Sequence, residues 1–344
     1  MPAAEGSPAP ERPQPPAPPA ELPSASTLSP ALALERMSAE EVASGFVALV
    51  GRPNAGKSTL VNALLGSKVA ITSDVPQTTR HRLRAIIDRD DGQIVLVDTP
   101  GLHKPHDALG EELNRSALKA LEDVDVVAML IDASKPVGTG DAWVASHVAR
   151  SRAKRILVLS KSDLVSPEQV AEQLARARGL ADFDDEVVVS AHAGHNLDAF
   201  TSMAMRRLPH APRWFPRDMG TDQPFEVMVA EFIREKALRA TFDEVPYAVG
   251  VAVESIEQDE RTGSKGERTG LTRIYAVLFV ERESQKGIIV GKGGERIKLI
   301  GSQARADLER LVGTKVFLDL RVKVKKEWRR DASQIRRFGY GEGL

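Results

Sequence analysis

Gly51-Arg52-Pro53-Asn54-Ala55-Gly56-Lys57-Ser58, with Thr59 following, decides how the rest of the chain is read. The stretch fits G-x-x-x-x-G-K-[ST], the spacing of a phosphate-binding loop. Gly45-Phe46-Val47-Ala48-Leu49-Val50 precedes it as a short apolar strand. Thr59 to Leu65 follows as the first turns of a helix, with Gly66 as its stop. Strand, glycine loop and helix is the order the chemistry needs. The glycines let backbone N–H groups turn inward around phosphate oxygens, and the helix N-terminus adds partial positive charge. Lys57 reaches the outer phosphates and the Ser58 hydroxyl is placed to ligate Mg²⁺.

The 344 residues point to two domains plus tails, and 42% hydrophobic content suffices for ordinary cores. No cysteine is present, which excludes disulfides, thiolate metal sites and cysteine nucleophiles. No apolar run reaches the ~18 residues of a membrane-spanning helix. The start of the chain lacks the basic and apolar pattern of a secretory signal, so a cytoplasmic protein is expected.

Residues 1–44 are rich in Pro, Ala, Ser and Glu and read as a disordered extension. A proline-rich docking arm, or translation that truly begins at Met37, are the alternatives. From Gly45 to Leu208, apolar runs alternate with helical stretches. The runs include Gln93 to Val97, Val124 to Ile131, Arg155 to Leu159 and Glu186 to Val189. The helical stretches are Gly110 to Ala120, Asp141 to Ala149, Pro167 to Arg178 and Leu197 to Leu208. This is the pattern of an α/β domain with a mostly parallel sheet covered on both faces, whose ligands bind at the carboxyl ends of the strands. Residues 209–222 carry three prolines and read as a linker with some packed residues, Trp214 and Phe215. Residues 223–344 change character. A helix from Pro224 to Thr241 leads to paired strands, Tyr247 to Glu257 and Thr272 to Val280, joined by a charged, mobile loop from Gln258 to Gly270. A helix from Glu295 to Leu311 and a strand from Lys315 to Val324 follow.

Polar motifs fall at the strand ends. Asp98-Thr99-Pro100-Gly101 places Asp98 to hold Mg²⁺ through water and the Gly101 N–H to sense a γ-phosphate. Pro76-Gln77-Thr78-Thr79-Arg80 offers a threonine to the Mg²⁺ shell, Thr79 in preference to Thr78. Ser160-Lys161-Ser162-Asp163 is placed to choose the base. The Asp163 carboxylate accepts from guanine N1–H and its 2-amino group, a pair adenine lacks, while the Lys161 stem covers the ring. Ser190-Ala191 ends the last strand, where the Ala191 N–H reaches guanine O6. In the second domain, Gly291-Lys292-Gly293-Gly294 sits before a helix, as the G-x-x-G backbone clamp of a KH domain does. From Lys286 to Arg337 there are fifteen Lys and Arg against six Asp and Glu, a surplus of nine hidden in a net charge of −1. A basic region beside a backbone clamp is the footprint of nucleic-acid binding.

These motifs, in this order, resemble the five G motifs of translational-type GTPases, and with the C-terminal domain they resemble the Era family. The likeness spans roughly Gly45 to Tyr340, and Pro76 to Arg82 and Asp98 to His103 are close to the family's own versions. The resemblance implies a P-loop GTPase domain followed by an α+β type II KH domain with a basic C-terminal tail. It implies slow, Mg²⁺-dependent hydrolysis of GTP to GDP, binding of 16S ribosomal RNA, and a role in assembly of the 30S subunit. On this reading Gly291, Lys292, Gly293, Gly294, Lys323, Lys325 and Lys326 contact RNA. A cytoplasmic monomer is implied, with at most transient inner-membrane contact and no stable anchor. Two departures stand out. Ser160 replaces the family's asparagine, which ties the base site to the P-loop, so a weaker tie is expected. Leu102 occupies the position where Ras-like enzymes orient water with glutamine. Some relatives with an apolar residue there use K⁺, held partly by the P-loop asparagine, here Asn54; a loop-shaping role for Asn54 is the alternative. Because of Leu102, an RNA-binding protein whose nucleotide site binds without useful turnover stays open beside the enzyme.

Overall fold

Strands that are apolar at every position are stable only when both faces are covered, and the first half of the chain builds such a layer. The structure, a computed structural model, describes residues 41–105, 107–262 and 268–340. The expectations for residues 1–40, Met37 among them, lie outside the described residues. The first domain runs β1 (Val42–Gly51), α1 (Lys57–Leu65), β2 (Leu83–Arg89), β3 (Gly92–Asp98), α2 (Ala108–Lys119), β4 (Val126–Asp132), α3 (Thr139–Val148), β5 (Lys154–Ser160), α4 (Pro167–Arg178), β6 (Asp185–Val188) and α5 (Leu197–Met205). The sheet order is β2-β3-β1-β4-β5-β6. Neighbours from β3 to β6 are parallel. β2, which the sequence reading did not assign, is antiparallel to β3 and closes the edge.

Strand parity sets the two cores. Val47 and Leu49 pack with Leu60 and Val61 of α1 and with Phe200 and Ala204 of α5. Ala48 and Val50 face the other way, onto Ala117, Val144, Val148 and Ala177 of α2, α3 and α4. Each fully buried Val or Leu is worth about 1.5–3 kcal/mol, so a charge at Val47 or Val50 would break the layer that carries the P-loop.

The first domain is larger at both ends than composition indicated. Residues 42–44, assigned above to the disordered extension, are the start of β1. Residues 209–222 are tied to the domain at more points than the two aromatic residues expected to pack. β7 (His210–Ala211) pairs antiparallel with Val42 and Ala43. Arg213 and Arg217 donate to Asp88 at 3.0 and 2.8 Å, and the Phe215 N–H donates to Gln93 at 2.9 Å. Trp214 lies edge-on to Phe46.

The second domain holds α6 (Phe225–Arg239), α7 (Val245–Ala248), β8 (Gly250–Thr262), β9 (Arg268–Val280), α8 (Glu283–Val290), α9 (Glu295–Val312), β10 (Lys315–Val324) and α10 (Ala332–Arg337). Its sheet is ordered β10-β9-β8, with β8 and β9 antiparallel and β10 parallel to β9. Ile300, Ala304 and Leu308, four apart, give α9 one apolar face, which packs with Val229, Ile233 and Ala237 of α6 over the sheet. Two boundaries differ from expectation. Tyr247 belongs to α7, ahead of the strand. Much of the stretch expected to be a mobile loop is ladder, since the β8–β9 pairing continues to Thr262 and Arg268.

The basic C-terminal tail is also more than a tail. Trp328 is fully buried and its indole N–H donates to the Ala248 carbonyl at 2.9 Å. Trp328, Ile335, Phe338 and Tyr340 pack with Leu109 and Leu113 of α2, so this stretch bridges the two domains. Among the described residues, no helix is long and apolar enough to cross a membrane.

Candidate nucleotide site and glycine clamp

The β1–α1 turn sits at the carboxyl edge of the sheet and aims the α1 N-terminus into a cavity of about 390 Å³. Asn54, Lys57, Ser58, Thr79, Gly101 and Lys161 are among its walls. Lys57 is buried and curls back, donating to the Gly51 and Arg52 carbonyls at 3.2 and 3.1 Å. Burial lowers its pKa to about 8, with Asp98 opposing, so at neutral pH it is charged. Ser58 Oγ lies 2.8 Å from Thr79 Oγ1 and donates to Asp98 Oδ2 at 2.6 Å. These three oxygens, from the P-loop, the threonine loop and the end of β3, converge at one point. Burial raises the Asp98 pKa to about 6 against the pull of Lys57, Ser58 and Thr79, and its Oδ1 is buried without a hydrogen-bond partner. One carboxylate and two hydroxyls, all hard oxygens beside a phosphate loop, fit Mg²⁺, which is typically held by one or two carboxylates plus substrate phosphates.

Gly101 is required by close approach, because a Cβ there would lie 2.6 Å from the Pro53 backbone. The Leu102 N–H donates to the Gly51 carbonyl at 3.1 Å, while its side chain is buried in the core beside Ala48 and Val50. It therefore presents nothing to a water at the phosphates. Other anticipated residues serve the frame. Arg52 turns away to pair with Asp141 at 3.2 Å. The Thr78 hydroxyl donates to the Val75 carbonyl at 2.6 Å, which leaves Thr79 as the threonine that reaches Ser58. Thr99 donates to the Leu49 carbonyl at 2.8 Å, binding the Asp98-Thr99-Pro100-Gly101 turn to β1. Asn54, at a left-handed φ of 63°, donates through Nδ2 to the Asp74 carbonyl at 2.6 Å and so shapes the loop.

At the base end, Ser160 Oγ lies 2.8 Å from the Ala55 carbonyl and 3.0 Å from the Ile131 carbonyl. The shorter side chain thus reaches the P-loop, and the weaker tie expected for it is a single shared hydroxyl proton. Lys161, at a left-handed φ of 58°, donates to Asp132 at 2.7 Å. Ser190 Oγ donates to Asp163 Oδ1 at 2.5 Å and accepts from the Ala193 N–H at 3.0 Å, so it orients the carboxylate. Ala191 follows directly and packs at the edge of the first core.

Sequence reasoning missed the residues that the second domain brings to this site. Arg239 of α6 lines the cavity and donates to the Thr72 carbonyl at 3.0 Å. Arg80, expected only as part of a polar loop, is fully buried and donates to the Val249 and Tyr247 carbonyls at 2.6 and 3.0 Å. A buried arginine has no signature in a chain read one residue at a time.

The glycine clamp lies between α8 and α9. Gly291, Gly293 and Gly294 all take positive φ, at 72°, 59° and 82°. Nothing approaches the Cβ position of Gly293 within 4 Å, so backbone is open to a ligand there. Lys292 lies in it and Arg296 packs against Gly291, whereas Lys323, Lys325 and Lys326 lie elsewhere. Lys325, whose N–H donates to the Val280 carbonyl, lies with Lys326 near the start of α8, one eight-residue helix (roughly 12 Å) from the clamp. Lys323 is on the face of β10 opposite Val322 and Val324, which pack towards the helices, and it pairs with Glu254 at 3.2 Å.

Residues 46–161 match the family described as 50S ribosome-binding GTPase, and residues 244–329 match the KH domain family. The chain is 46% identical over 303 residues to the GTPase Era of Mycolicibacterium smegmatis, covering 87% of this chain and 99% of that one. Among solved structures it resembles Era in complex with MgGDPNP and nucleotides 1506–1542 of 16S ribosomal RNA, at 36% identity and a TM-score of 0.81. It also resembles an Aquifex aeolicus Era variant bound to GDP and aluminium fluoride, at 36% identity and a TM-score of 0.80. Each of these matches covers 87% of this chain and 99% of the other.

Proposed function

The chain belongs to the Era family of GTPases, and from that membership we propose a GTP-hydrolysing switch that binds 16S ribosomal RNA through its second domain in assembly of the 30S subunit. The observation that carries the reading is the convergence of Ser58, Thr79 and Asp98 beside Lys57 and the α1 N-terminus. Water attacks the γ-phosphorus, the bond to the β,γ-bridging oxygen breaks, and GDP and phosphate leave. Mg²⁺, when bound, offsets charge across the phosphates, with Ser58 and Thr79 as ligands and Asp98 acting through water. Lys57 and the P-loop N–H groups hold the outer phosphates, and stabilisation by fixed charge is the main catalytic contribution. Asp163, oriented by Ser190, selects guanine. The rRNA part rests on the glycine clamp, the basic surplus and the RNA held by the structural relative.

Leu102 leaves no polar side chain at the water-orienting position, and this supports a share for K⁺. The Asn54 amide is directed at Asp74, so its Oδ1 is the atom that would meet the ion. We take the chain to be a cytoplasmic monomer that meets membranes only transiently; the absence of cysteine fits a reducing compartment. Phosphate release from GTP, in K⁺ and in Na⁺ at equal ionic strength, tests the enzyme. Lys57→Ala is expected to abolish release with the fold intact, ATP to compete poorly, and K⁺ to accelerate the parent. Equal release by parent and Lys57→Ala ends the enzymatic reading. Equal rates in the two salts leave Asn54 as a loop tie alone.

A further inference from the structure

The loop that carries Thr79 is held at both ends by the other domain. At its start, the Thr72 N–H donates to Glu235 at 3.1 Å and the Thr72 carbonyl accepts from Arg239. At its end, Arg80 reaches the Val249 and Tyr247 carbonyls and lies over the rings of Trp328 and Tyr340, 5.6 and 5.3 Å from their centroids. Between them, the fully buried Arg234 of α6 donates to the Thr78 carbonyl, on the peptide unit whose N–H belongs to Thr79. Arg234 is itself fixed by a two-pronged contact with Glu231, at 2.8 and 2.5 Å.

This cluster is only partly satisfied for so buried a place. Arg80 and Tyr340 have one another and His81 has the Gly339 backbone, but Arg234 Nη1 is buried without a partner. Two guanidinium groups share one carboxylate, and burial, followed by repulsion from Arg234, lowers the Arg80 pKa to about 10. Burying an unpaired polar group costs free energy, so such an arrangement is retained where it does something besides hold the fold. What it holds is a rigid path one peptide long from α6 to the threonine that faces Ser58 and Asp98.

We propose that Arg234 is a positioning residue for Thr79, so that the placement of the second domain's α6 sets whether the nucleotide pocket closes on a triphosphate. The proposal rests on the GTPase reading above. Thr79 faces the metal side of the pocket, whereas the diphosphate end and the base are served by the P-loop, Lys161 and Asp163. Loss of the Arg234 contact therefore weakens binding of a triphosphate with Mg²⁺ and spares GDP.

The test uses the full chain, with a fluorescent non-hydrolysable GTP analogue and fluorescent GDP, each with and without Mg²⁺. Arg234→Lys keeps the positive charge beside Glu231 but lacks the fork to reach Thr78 as well, and its unfolding midpoint is measured beside the parent's. Expected is a loss of about tenfold in the Mg²⁺-dependent tightening of the analogue, the size of one charge-assisted hydrogen bond, with GDP affinity unchanged. Thr79→Ala should show the same loss, and the double variant should be no worse than Thr79→Ala alone. An equal fall for GDP and analogue, an unchanged variant, or losses that add to those of Thr79→Ala each overturn the proposal. If the parent itself shows no Mg²⁺-dependent tightening of the triphosphate, the metal-site reading fails, and that result is visible before any variant is made.

Discussion

Asp98 is a carboxylate kept where ionisation is costly. It is fully buried, and although Lys57, Ser58 and Thr79 all favour its charged form, burial raises its pKa from 3.8 to about 6. At 1.36 kcal/mol per pKa unit, the charged form costs the fold roughly 3 kcal/mol relative to an exposed aspartate. The sign follows from proton uptake. A folded chain whose carboxyl has the higher pKa binds protons that the unfolded chain has released, so this cost is present above about 6 and fades towards 3.8. Asp98→Asn, of the same shape but uncharged, should therefore stabilise the nucleotide-free chain at pH 7 by about 1–3 kcal/mol, with the gain nearly gone by about pH 3.5. The same variant should lose Mg²⁺-dependent binding of GTP. Urea midpoints of parent and variant at the two pH values check it, and a variant less stable at pH 7 would show that the charge supports the fold. The position of Asp98 was readable because it ends an apolar run downstream of a P-loop. The role of Arg80 was not, because what buries it is the second domain, more than 160 residues on.

At the scale of elements, what was legible was whatever a local period or spacing records. α4 spans the expected Pro167 to Arg178, and its ends carry local marks, a Ser166–Gln169 capping box and a proline at the first position. β2 was missed because its pattern is irregular and its partners, β3 and Thr221, are not visible in its own sequence. The stretch 209–222 read as a linker because its prolines are visible and its partners are not. Asp88 and Gln93, which satisfy Arg213 and Phe215, stand over 120 residues earlier. Strand parity was legible in principle and places Lys323 on the sheet face away from the clamp, and the RNA reading is tested first at the glycine loop. Lys292→Asp with Gly293→Asp adds two negative charges where phosphates must pass. Asp tolerates a left-handed φ better than most residues, and the space around Gly293 is open, so the fold should survive. RNA affinity should fall roughly tenfold or more as phosphate contacts are lost, while basal GTP hydrolysis stays unchanged. Anisotropy of labelled RNA measures it, and undiminished binding by the variant removes the clamp from the interface.

For the whole molecule, the question is whether two domains merely share a chain. Among the contacts that join them, three groups matter here. Arg80, Arg234 and Arg239 hold the threonine loop to the second domain. Lys68, after α1, lies between Glu235 and Asp307 at 2.5 and 2.8 Å. Trp328 and its aromatic neighbours pack on Leu109 and Leu113 of α2. Two of the three meet α6, which is also part of the core beneath α9, the helix that opens at the glycine clamp. A ligand that moves the threonine loop must therefore strain or release α6, and a ligand on the clamp is one packed helix from the same element. Linkage then fixes the form of the result. If the triphosphate state binds RNA more tightly by some factor, RNA must tighten the triphosphate by that same factor. Factors of about 5–150 are usual for such coupling. RNA affinity is measured with the GTP analogue, with GDP and with no nucleotide, and analogue affinity with and without RNA. The expected outcome is tighter RNA binding in the triphosphate state and an equal ratio read from the nucleotide side. Equal RNA affinity in all three states would mean that the contacts fix geometry without transmitting it. A ratio seen from one side alone would mean that the two measurements report different RNA-bound species.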